Sequence, residues 1–149
     1  MPFSQSTKEL LIKSGWYENR KIDTTELERL IESRGFKVFP KVKEFLQEYG
    51  MLEFRIHHPD IKSEVIVHNT NPIQALGDAG DRRIVAQFEE LAKEELVIVG
   101  ELHNRNLFLM ISETGKVFCD NGKHGNNFEE ALESILNYKS CMAWQNIKE

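Results

Sequence analysis

Between Pro40 and Tyr49 the apolar residues Val42, Phe45, Leu46 and Tyr49 fall at i, i+3, i+4 and i+7, which places them on one stripe of an α-helix. Pro40 suits the first turn, because its missing N–H would have had no partner within the helix. Gly50 follows the last apolar residue and is expected to take the left-handed, positive-φ conformation that ends many helices. At Leu52 the period changes to two, with Leu52, Phe54 and Ile56 on one side and Glu53, Arg55 and His57 on the other, the pattern of a half-buried strand. A single glycine between helix and strand folds one back on the other. The Phe45/Leu46 stripe and the Leu52/Phe54/Ile56 face are therefore expected to share one core.

The same reading predicts elements along the rest of the chain. Leu10, Leu11 and Ser14 mark a short amphipathic helix from Ser6 to Ser14, with Gly15 as its stop. Trp16 and Tyr17 follow as an aromatic pair, either a lid over the core or a stacking platform for a ligand. Asp23 with Glu26, and Thr25 with Glu28, offer capping boxes ahead of Leu27, Leu30 and Ile31, in a second helix that ends near Gly35. Glu64 to His68 is extended and can pair with the first strand as an antiparallel hairpin. The stretch from Asn69 to Asp81 shows no period and predicts a long loop, functional or mobile. From Arg82 to Glu94 a helical period places Val85, Phe88, Leu91 and Ala92 inward, with Asp81 as the cap. Leu96 to His103, Asn106 to Ser112 and Lys116 to Asp120 form a three-strand meander. Asn121 to Asn126 is expected to be a glycine-rich turn, and Phe128, Leu132, Ile135 and Leu136 line a last helix. This order predicts a single α+β domain over residues 1–149, with an antiparallel or mixed central sheet and helices packed on it.

Composition narrows the class. A chain of 149 residues with 40% hydrophobic and 29% charged residues has the balance of a globular domain able to bury a core without a metal or disulfides. No apolar run approaches the length needed to span a bilayer, and the first residues lack a secretory apolar segment, so a cytoplasmic location is expected. Cys119 and Cys141 lie far apart in sequence and are expected to remain thiols. The net charge of −5 argues against direct nucleic-acid binding. Residues 1–50 carry nine basic and eight acidic side chains, whereas residues 51–149 carry ten and sixteen, so the acidity belongs to the second part.

Candidate chemistry is sparse. His57 and His58 are strand neighbours that point to opposite sides and do not suit a shared metal. Cys119 and His124 lack the CxxC or HxxxH partner that would complete a four-ligand zinc site. There is no GxSxG elbow, and Gly122-Lys123-His124-Gly125 matches neither a Walker pattern nor a dinucleotide fingerprint. No catalytic, cofactor-binding or metal residue is therefore predicted. An acidic surface remains: Glu89, Glu90, Glu94 and Glu95 on the expected outward side of the 82–94 helix, with Asp78 and Asp81 from the loop before it. Such a charge run is either a solvated face or a contact for a basic protein partner.

Phe45-Leu46-Gln47-Glu48-Tyr49-Gly50-Met51-Leu52 resembles the helix-glycine-strand signature of the SUKH superfamily of bacterial immunity proteins, the Smi/Knr-like domains. Gly15-Trp16 with Arg20, then Gly35-Phe36, resemble the opening of its third subgroup. Leu96 to Gly100, Leu107 to Ile111 and Gly115 to Phe118 sit where the family carries later strands. The subgroup usually has glycine before the arginine and a second glycine after the tyrosine-glycine, where this chain has Asn19 and Met51. The resemblance implies a non-enzymatic immunity protein, or antitoxin, that binds a cognate polymorphic toxin in the cytoplasm. A nuclease-type toxin is typically basic, which gives the acidic residues a partner. The competing classes are a small-ligand-binding or regulatory module and, third, an enzyme.

Overall fold

The computed structural model describes residues 3–147. The first helix, α1 (Gln5–Lys13), is opened by Ser4, whose hydroxyl accepts from the Thr7 N–H, and closed by Gly15 at φ 111°. The second, α2 (Thr25–Ser33), buries Leu27 and Ile31. Neither predicted capping box forms there. Thr24 occupies the cap and donates its hydroxyl to Glu28, while Asp23 accepts from the N–H and hydroxyl of Thr25. The two acceptors thus act one residue away from the expected register.

The central helix α3 (Pro40–Tyr49) buries Val42, Phe45, Leu46 and Tyr49, as its stripe predicted. β1 (Glu53–His57) alternates exposed and buried as its period of two required. Gly50, however, is extended at φ −71°, and the left-handed residue is Met51 at φ 61°. Glycine is required at position 50 for a different reason: a Cβ there would meet the Leu46 carbonyl oxygen at 2.5 Å. β2 (Val65–Asn69) pairs antiparallel with β1, Phe54 opposite His68 and Ile56 opposite Ile66.

The stretch after β2 is more ordered than its lack of period suggested. Asn71 caps a short helix, α4 (Pro72–Leu76), by accepting from the Gln74 N–H, and Arg34 donates to the carbonyls of Leu76, Gly77 and Gly80. The predicted 82–94 helix is divided into a 3-10 turn at Arg82–Val85 and a short helix, α5 (Ala86–Ala92). Val85 is fully buried and Phe88 and Ala92 are partly so, but Leu91, expected inward, is 52% exposed. The 3-10 turn winds three residues per turn instead of 3.6, which rotates the stripe beyond it away from the core.

β3 (Leu96–Leu102), β4 (Leu107–Ser112) and β5 (Val117–Cys119) form the predicted meander. Every residue of β3 and β5 is buried, so the middle of the sheet is covered on both faces. The predicted turn at 121–126 is instead a strand, β6 (Gly122–Gly125), paired with β5. The last helix, α6 (Phe128–Leu136), packs against β6 and buries Leu132, Ile135 and Leu136. Beyond it lie a two-residue strand, β7 (Met142–Ala143), and a 3-10 turn at Trp144–Asn146, neither of which the sequence pattern announced.

Among the described residues, six α-helices surround one seven-stranded antiparallel sheet in the sequential order β1 to β7, an α+β architecture. Phe45, Leu46, Phe54, Ile98, Leu109 and Leu132 all lie within a single hydrophobic core. Between β2 and β3 the ladder narrows to one pair, Asn69 with Glu101. Other bonds continue the junction: the Asn104 side-chain oxygen accepts from the Val67 N–H, the Asn104 backbone N–H donates to the Val67 carbonyl, and the His103 N–H donates to Nδ1 of the buried His68.

Candidate partner-binding surface

The six carboxylates singled out in the sequence do not form one outward negative face. Glu89 turns back, accepting from the Leu96 N–H at 2.9 Å and pairing with Arg82 at 3.4 Å, its side chain only 16% exposed. Glu94, with 10% of its side chain exposed, accepts from the Thr114 hydroxyl at 2.6 Å and from Lys116 at 3.1 Å. Burial works against the charge of Glu94, yet these donors hold its carboxyl below the usual range. Glu95 pairs with Arg82 at 3.0 Å and with Lys37 at 3.7 Å. Asp81 caps the 3-10 turn at Arg83 N–H and pairs with the Arg83 guanidinium, which lowers its pKa. Asp78 and Glu90 are left exposed.

Sequence period misassigned these groups because it treated the 82–94 segment as one helix. Arg82, in the 3-10 turn, reaches both Glu89 and Glu95, so the segment closes on its own carboxylates. The carboxylates at 81, 89, 94 and 95 therefore fasten the segment to its surroundings.

Exposed Leu91 stands at the mouth of a cleft of about 610 Å³ that is also lined by Phe118, Ile147, Lys93, Lys116 and Lys123. Phe118 of that lining is stacked on Trp144 with ring centroids 5.3 Å apart, and Trp144 in turn on Phe88 at 6.1 Å. The cleft thus has an apolar floor and a charged rim. The aromatic pair near the first helix divides its roles: Trp16 is buried and stacks on Tyr49, while Tyr17 is 57% exposed.

The structure also rearranges the residues tested for chemistry. His57 is exposed, with Nδ1 2.9 Å from the Lys62 carbonyl, and Nδ1 of His58 accepts from the N–H groups of Asp60 and Ile61. Cys119 and His124, by contrast, gain a third neighbour in Cys141, which pairing by sequence distance had missed. Burial pushes the Cys119 thiol up to about 12 and the His124 imidazole down to about 4. Cys119 and Cys141 are both free thiols. Burial likewise lowers His68 to about 3, helped by the neighbouring rings of His103 and His124, and its Nε2 has no partner.

A model of the SUKH-3 immunity protein family matches residues 3–138. The chain belongs to that family. Its glycine-closed helix, β1 and the meander lie within the match, as does the whole of α5; Cys141, β7 and Trp144 lie beyond it. SUKH-3 members are immunity proteins, generally non-catalytic, whose partner is a cognate toxin. Neither the comparison with curated proteins nor that with solved structures gave a match. Among the described residues no helix is long and apolar enough to cross a membrane.

Proposed function

We propose that this SUKH-3 protein binds one cognate toxin of basic, nuclease type in the cytoplasm and neutralises it by covering its active site, without catalysis of its own. The family match over residues 3–138 carries this reading. The net charge of −5 supports it, since opposite charge speeds encounter with a basic partner and selects against others. Within the acidic set of Asp78, Asp81, Glu89, Glu90, Glu94 and Glu95, the contact falls to the exposed Asp78 and Glu90, while the paired carboxylates hold the segment in place. Leu91, next to Glu90 and 52% exposed, supplies the apolar anchor that charge alone does not.

The test uses the product of the neighbouring toxin gene. Asp78→Lys with Glu90→Lys should leave the urea midpoint nearly unchanged, because exposed charges contribute little to folding. The same variant should slow association with the toxin and make the remaining binding less sensitive to salt. Leu91→Ala should speed dissociation. Unchanged rates in both variants would move the contact elsewhere on the molecule, whereas a wild-type chain that binds no such toxin at micromolar concentration would sink the immunity reading itself.

The cleft beside Leu91 favours a second reading, a small-ligand-binding module, because its volume lies within the range of ligand pockets. A metabolite that raises the melting temperature of the wild type but not of a Leu91→Trp variant would support it.

A further inference from the structure

Three segments that are separate in sequence meet at one corner of the sheet. Cys119 ends β5, His124 lies in β6, and Cys141 immediately precedes β7. Their ligand atoms all lie within 4.8 Å of one another. We propose that Cys119, His124 and Cys141 form a mononuclear binding site for a zinc-class divalent cation.

The donor set fixes the class of ion. Two thiols and an imidazole with no carboxylate suit zinc and its neighbours and exclude the hard cations, which take oxygen ligands. Tetrahedral zinc holds its ligand atoms about 3.5 Å apart, so the corner closes on an ion by a movement of about 1 Å. Cys119 is buried, while His124 and Cys141 are half-buried. The ion therefore enters past the latter two and keeps water in its fourth position. On binding, both thiols give up their protons to solvent and the sulfurs become thiolate ligands. Ser134 of α6 places its hydroxyl oxygen 3.4 Å from Nδ1 of His124, a contact that orients the ring from behind.

The surrounding backbone keeps the corner assembled. Trp144 donates its indole N–H to the Asp120 carbonyl at 2.7 Å, fastening the segment after Cys141 to the β5–β6 turn. Gly122 lets β7 lie directly on β6, since a Cβ there would meet the Met142 carbonyl oxygen at 2.0 Å. A small buried hydrophobe at position 119 would need neither the imidazole nor the second thiol beside it.

The experiment takes the full chain, reduced with a phosphine, loads it with Zn²⁺, desalts it and measures metal per chain; Co²⁺ is then titrated into the metal-free protein. One equivalent of zinc should be retained, and Co²⁺ should give a thiolate-to-metal charge-transfer band with the strong ligand-field absorption of a tetrahedral site. Cys141→Ser and His124→Ala, both at half-exposed positions, should lose the band and the zinc-dependent rise in melting temperature. Circular dichroism checks that both variants keep the fold. Absence of the charge-transfer band in reduced wild-type protein overturns the proposal. So does zinc retained equally by Cys141→Ser and His124→Ala, which would place the ion elsewhere.

Discussion

Asn19 and Met51, the positions where the chain carries something other than the glycine usual in its subgroup, both have positive φ, 62° and 61°. The left-handed region costs a β-carbon-bearing residue about 1 kcal/mol, less for asparagine, whose side chain tolerates it. Met51→Gly should therefore raise stability by about 1 kcal/mol in chemical denaturation, and Asn19→Gly by less; a Met51→Gly variant less stable than wild type would contradict this. Gly50→Ala should do the opposite, because the added methyl meets the Leu46 carbonyl oxygen. A glycine after a helix was legible as an end signal. Which of two physical demands it met, left-handed backbone or close approach, was not, since both leave the same letter in the sequence.

At the scale of elements, the long periodic pieces were legible and the short ones were not. The stripe of α3, the alternation of β1 and the inward face of α6 were set by burial of many side chains on one side, which is what period detects. α4, β6 and β7 are five residues or fewer, too short to show a period, and the end of α4 is held by Arg34, which is distant in sequence. The same limit hid the candidate site, because the tethering of Glu94 depends on Thr114 and Lys116 in the next hairpin. That tethering separates two neighbouring carboxylates. Glu94→Lys should cost about 3 kcal/mol, since it places a cation against Lys116 in a partly buried pair, whereas Glu90→Lys should change stability by under about 0.5 kcal/mol. Equal urea midpoints for the two variants would mean that the Glu94 pairing contributes nothing.

For the whole molecule, acid is the informative stress. His68 is 2% exposed, and its Nδ1 accepts from the His103 N–H, so the folded ring stays neutral down to about 3 against an ordinary 6.5. Between those values the unfolded chain binds a proton that the folded chain refuses, so stability is complete above about 6.5 and falls as the pH drops towards 3. The loss from this group between about pH 7 and about pH 5 is about 2 kcal/mol. His68→Asn keeps an acceptor for His103 and cannot titrate, so its urea midpoint should fall less over the same interval; parallel profiles would rule out His68 as the source. This residue sits on the narrow junction where β2 meets β3 through a single ladder pair. With one ladder pair and the side chains of Asn69, Asn104 and His68 in place of a run of backbone bonds, this seam should let the sheet open as two units of unequal strength. The β1–β2 hairpin should then open first, its amides exchanging with solvent deuterium faster than those of the β3–β5 meander.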